Sequence, residues 1–238
     1  MGARRVPVSS GSPPMWRDAL LVAAKDLRIE ARSRVAANQV APFAVLVLVL
    51  FAFALDPDRG VLERAAAGLF WVAVLFSAVL AVQRSQAVEG ADGTADALRL
   101  SGLDPAGIFL GKAAALAVEL FALEVVLGAG VVVLYGVEPG GYLLLFAVAA
   151  AATLGLAAAG TIYGALAGGA RMRETLLPLL LLPAVAPVLV AATRASEAAL
   201  GTAVAATTAA DWMSLLGVLA VVYLAFGVVA FGPLMEER

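Results

Sequence analysis

Two carboxylates, Glu119 and Glu124, sit inside an apolar run from Ile108 to Tyr135. A charge at the centre of a membrane helix costs about 2.5–3.5 kcal/mol on insertion scales, so such residues mark proton or ion pathways unless they pair within a bundle. Five residues separate them, about 140° on a helical wheel. They therefore do not form one carboxylate pair, and each stands alone as a candidate for a proton relay or for a partner inside the bundle. The 238 residues include no histidine and no cysteine. Imidazole acid–base work, axial His ligation of haem, thiolate metal sites and disulfides are thereby excluded. Gly107-Ile-Phe-Leu-Gly111-Lys112-Ala113 echoes a phosphate-binding loop, but three residues separate the glycines, and Ala113 stands where Ser or Thr would hold Mg²⁺. ATP hydrolysis is not expected of this chain, nor a bound cofactor or metal of its own.

The elements that must position these residues are membrane helices. Hydrophobic residues make up 63% of the chain and charged ones 14%, against about 25% charged in a soluble domain. A bilayer-spanning helix needs about 20 mostly apolar residues. Six stretches qualify, over about 36–55, 65–83, 106–135, 142–167, 175–193 and 212–234. Pro42 interrupts the first early, and Pro178, Pro183 and Pro187 predict a kinked or broken fifth span. Thirteen of the sixteen Lys and Arg residues fall on the side of the two termini, and only Arg59, Arg64 and Arg194 on the other. The positive-inside rule then places both termini in the cytoplasm. The fold class expected is an all-α membrane protein, a six-transmembrane-helix bundle in a single domain over 15–238.

Residues 1–14 are rich in Pro, Ser and Gly and are expected to be a disordered tail; no small-residue cleavage site follows a short apolar core, so no signal peptide is expected. Residues 15–35 form no span. Trp16, Leu20, Ala24, Leu27 and Ala31 share one helical face, and Arg17, Lys25, Arg28 and Arg32 another. This is an amphipathic helix expected to lie in the membrane interface, its basic face toward anionic headgroups; a merely solvated juxtamembrane helix is the plainer alternative. The loop from Gln83 to Gly107 is too long for a simple turn. Thr94 can cap a short helix over 95–100, Gly102 can end it, and Asp104-Pro105 can cap and start the next span. A short helix between two spans suits the docking of a cytoplasmic partner. In the fourth span, Gly160-x-x-x-Gly164-x-x-x-Gly168 is a stripe that lets another helix approach closely, within this subunit or at a dimer interface.

The run Glu89-Gly-Ala-Asp92-Gly93-Thr94-Ala-Asp96-Ala-Leu98-Arg99-Leu100-Ser-Gly-Leu-Asp-Pro, ending in Leu110-Gly111-Lys112, resembles the acidic D-G-(S/T)-L-E loop of the CcmB family. Ala95 and Asp96 replace the Leu and Glu of that pattern. Glu30-Ala-Arg32, Phe70-Trp71-Val72-Ala73, the Gly-rich segment from Leu154 to Gly168 and the Leu/Pro run from Leu176 to Pro187 resemble other segments of the same family. The resemblance covers roughly residues 16–230.

The resemblance implies an ABC-2-type permease fold and a subunit of the cytochrome c maturation ABC transporter in a bacterial plasma membrane. It implies two copies paired with two CcmA-like ATP-binding subunits, together with CcmC- and CcmD-like membrane subunits and a CcmE-like haem chaperone. Haem is then the cargo of the complex, and ATP belongs to the partner. Asp92, Gly93, Thr94, Asp96, Leu98, Arg99 and Leu100 would form the ATPase-coupling loop. An ABC-2 permease for a drug or lipid, a proton-coupled transporter using Glu119 and Glu124, and a scaffold without transport remain alternatives. Membrane lipid is an expected partner, and nucleic acid is not.

Overall fold

Hydrocarbon offers a backbone N–H or C=O no partner outside its own segment, so long apolar runs fold as helices. The computed structural model describes residues 15–55, 59–91, 100–168, 173–202 and 209–236, and among them there is no strand. The helices are α1 (Met15–Ser33), α2 (Ala41–Leu55), α3 (Arg59–Ala91), α4 (Pro105–Tyr135), α5 (Tyr142–Gly168), α6 (Arg173–Ala199) and α7 (Ala209–Glu236). The six from α2 to α7 are long and apolar enough to cross a bilayer, α2 together with the turn that precedes it. Residues 1–14 lie outside the described residues.

Four helix ends differ from the expected spans, for one physical reason. Hydropathy reports where hydrocarbon ends, whereas a helix continues for as long as its backbone bonds hold. Thus α3 runs on to Ala91 through polar Gln83-Arg84-Ser85-Gln86 and begins at Arg59. Similarly α6 extends past Thr193 through Arg194 and Glu197 to Ala199, and α7 begins at Ala209. Pro178, Pro183 and Pro187 lie inside one continuous helix, so the fifth span is not broken. The Tyr223 hydroxyl of α7 donates to the Ala184 carbonyl beside these prolines. Ahead of Pro42, which cannot donate, the chain widens into a π-turn over Ala36–Val40, closed by the Ala41 N–H donating to the Ala36 carbonyl.

Helix α5 is the hub of the bundle and packs against α3, α4, α6 and α7. Its alanines and glycines bring those neighbours close: Ala152, Ala157, Ala158 and Ala159 are each buried to within 1%. A methyl at Gly160 would lie 2.7 Å from Val82 Cγ2, and one at Gly164 would lie 2.9 Å from Val82 Cγ1 and 3.0 Å from Gln86 Nε2. The Gly160 and Gly164 part of the stripe therefore faces α3 of the same chain. Gly227 of α7 does the same for α4, since a methyl there would fall on the Phe109 ring, which is wholly buried.

Candidate functional site

Helix α1 lies along the first half of α4, and the contact is built on two glycines. A methyl at Gly107 would sit 2.8 Å from the Met15 carbonyl oxygen, and one at Gly111 would sit 2.5 Å from that of Ala19. The Gly107-x-x-x-Gly111 pair that echoes a phosphate loop is thus a helix-packing surface. Three faces of α1 are distinct. Asp18, Ala19 and Val22 are buried against α4, while Trp16, Leu20 and Leu21 are exposed at 65%, 71% and 55%. Arg17, Arg28 and Arg32 are exposed as well.

Polar contacts fasten this helix to the junction between α3 and α4. Asp104 caps α4, its Oδ1 accepting from the Ala106 N–H at 2.9 Å, with Pro105 in the first turn. Its own N–H donates to Asp18 Oδ2 of α1, 3.1 Å away. Further along, Lys112 Nζ of α4 lies 3.8 Å from Asp26 Oδ2. Glu30 is the second fastening point. Its Oε1 accepts the Ala36 N–H at 2.7 Å and its Oε2 accepts from Arg84 Nε of α3 at 3.2 Å. Arg34, between Glu30 and the π-turn, has φ of +52°, a strained value for a residue with a Cβ. Glu30 therefore joins the end of α1, the π-turn ahead of α2 and the polar end of α3.

Of the expected coupling residues, Asp92, Gly93, Thr94, Asp96, Leu98 and Arg99 lie outside the described residues. Leu100 is described, and its side chain is 88% exposed. Gly102 follows with φ of +70°, the left-handed conformation that ends a helix without a Cβ penalty. Asp104, which α1 holds, directly precedes α4, and Arg84, which Glu30 holds, lies seven residues before the end of α3.

The two membrane carboxylates face different surroundings. Glu119 lines a cavity of about 210 Å³ at the α1 end, together with Lys25, Asp26, Glu30, Arg84 and Lys112. Glu124 lies on the other side of α4, where Thr153 of α5 donates to its Oε1 at 2.7 Å. Glu119 Oε1 and Glu124 Oε2 are buried without a hydrogen-bond partner. Gly168, the last of the glycine stripe, lines a different cavity of about 580 Å³ with Gln39, Gln83, Arg84 and Gln86. No group of three or more His, Cys, Asp or Glu that could hold a metal ion occurs among the described residues.

Comparison with known proteins places the chain in a family. A family model described as CcmB protein matches residues 17–236. The chain is 33% identical over 173 residues to "Heme exporter protein B" of Paracoccus denitrificans, covering 72% of this chain and 78% of that one. It is 30% identical over 167 residues to the protein of that name from Rhodobacter capsulatus, covering 70% and 76%. The Haemophilus influenzae protein of the same name is 30% identical over 175 residues, covering 74% and 79%. The chain belongs to the CcmB family.

Proposed function

We propose that this CcmB-family chain is the membrane permease subunit of an ABC transporter complex that exports or delivers haem for cytochrome c maturation. The observation that carries this reading is the match over nearly the whole chain to the family, with relatives named as heme exporters. The chain is a transport component, and ATP hydrolysis falls to a separate CcmA-like subunit. The segment from Asp92 to Leu100 seats on that subunit, Leu98 and Leu100 supplying apolar contact while Asp92, Asp96 and Arg99 set register. What supports this is the fastening of both flanking helices to α1: α3 is tied through Arg84 to Glu30, and α4 through Asp104 to Asp18. Such ties would carry a push from the ATPase through α3 and α4 into the bundle. The chain works as two copies in a bacterial plasma membrane, its termini cytoplasmic, with CcmC- and CcmD-like subunits and a CcmE-like haem chaperone as partners.

Docking of this kind rests on a few buried anchors more than on rim charges. Replacing Leu98 with Asp puts a charge into the contact and is expected to abolish co-purification of the ATP-binding subunit at equal membrane expression. Thr94→Ala would remove only the helix cap that the sequence predicts, worth about 1 kcal/mol, so its loss should be partial. Glu138→Ala, at the opposite end of the bundle, should leave binding unchanged. Full ATPase binding by Leu98→Asp would show that the segment is not the coupling element.

A further inference from the structure

At the end of the bundle away from α1, helices α3, α4, α5 and α6 surround a cleft of about 320 Å³. Phe70, Trp71, Phe121 and Phe146 give it an aromatic wall, and Glu124 is its acidic member. Glu124 is 4% exposed. Thr153 satisfies one carboxylate oxygen, and Oε2 has no partner. Either protonation state leaves Oε2 wanting: ionised, it is an acceptor without a donor, and protonated, a donor without an acceptor. The indole N–H of Trp71 is already engaged, donating to Ser196 Oγ at 3.0 Å. Val125, Phe146 and Tyr142 on the rim are exposed at 61%, 60% and 72%, so the cleft opens sideways between α4 and α5, where lipid would lie.

We propose that this cleft is a binding site for a lipophilic amine taken up from the bilayer. The apolar body lies against the aromatic wall, and the nitrogen meets Glu124 Oε2. An amine suits both features. Its N–H satisfies the unpartnered oxygen, and a proton shared between nitrogen and carboxylate leaves neither group charged alone in an apolar site. The ring faces also favour a cationic nitrogen. An alcohol of the same shape supplies the hydrogen bond without the charge, and a carboxylic acid sets an acid against an acid. The site is independent of the haem-export reading, since its chemistry asks for a cation where the haem propionates are anions.

The test uses the purified chain in lipid nanodiscs with Trp16 and Trp212 replaced by Phe, which leaves Trp71 as the sole indole. A ten-carbon chain brominated at its far end is added as the amine, the alcohol or the carboxylic acid, and quenching of Trp71 emission is followed. The amine should quench saturably, and the alcohol and acid only in proportion to their partitioning into the bilayer. Glu124→Gln should weaken the amine at least tenfold. A methyl at Gly128 would meet nothing within 4 Å, so Gly128→Leu fills the cleft while keeping the carboxylate, and it should abolish saturation. Equal quenching by all three probes, no saturation by the amine, or amine binding undiminished in Gly128→Leu would overturn the proposal. The Gly128→Leu result decides even if Glu124→Gln does not fold.

Discussion

Gly111 and Gly128 lie on the same helix in opposite circumstances. A methyl at Gly111 would meet the Ala19 backbone at 2.5 Å, and one at Gly128 would meet nothing within 4 Å. Gly111→Ala should therefore destabilise by about 1–3 kcal/mol through overpacking. Gly128→Ala should be neutral or stabilise by up to about 1 kcal/mol, since Ala is the better helix former. Thermal unfolding of both variants in one detergent checks the contrast, and equal melting temperatures would show that α1 does not pack as described. Glu30 and Arg84 make a second residue-scale case. Glu30→Gln and Arg84→Gln should each lower stability, with the double variant losing less than the two together by about 0.5–3 kcal/mol. A double-mutant cycle by denaturant unfolding measures that coupling. The sequence shows both glycines plainly but not their use. Gly107-x-x-x-Gly111-Lys112 is ambiguous until α1 is known to lie against it, and Glu30 meets Arg84 from 54 residues away. The Glu124–Thr153 contact is likewise tertiary, so the spacing of Glu119 and Glu124 could tell only that they face apart.

At the scale of elements, the six spans were legible because their apolar runs reach the length that hydrocarbon demands. Their ends were less so, since Gln83-Arg84-Ser85-Gln86 looks like a loop by hydropathy and is helix in the structure. Caps were legible where side chain and position coincide, as at Asp104 before Pro105. Asp104→Ala removes that cap and should cost about 0.5–2 kcal/mol. Hydrogen exchange should then quicken at the first turn of α4 and leave the α5 core unchanged. If protection at α5 falls equally, the α1–α4 junction is not a local unit. The docking of α1 on α4 by a third face was not legible, because Asp18, Ala19 and Val22 form no recognisable apolar stripe. The stripe that the sequence does display, through Trp16 and Leu20, is the one left exposed.

Across the whole molecule, a bundle centred on α5 carries α1 fastened at the start of α4, in a chain of the CcmB family. The thirteen-to-three division of Lys and Arg predicts a single orientation. Reporter fusions after Asp58, Glu138 and Leu200 should read periplasmic, and those after Asp92, Arg171 and Arg238 cytoplasmic. Reversal at any one of them would break the topology. Haem staining of membranes from a host lacking this chain, which reads covalent haem in c-type cytochromes, decides whether the chain serves haem delivery. The stained bands should vanish, the wild-type chain should restore them, and Leu98→Asp at equal membrane level should not. Undiminished c-type cytochromes in the deletion host would contradict that role.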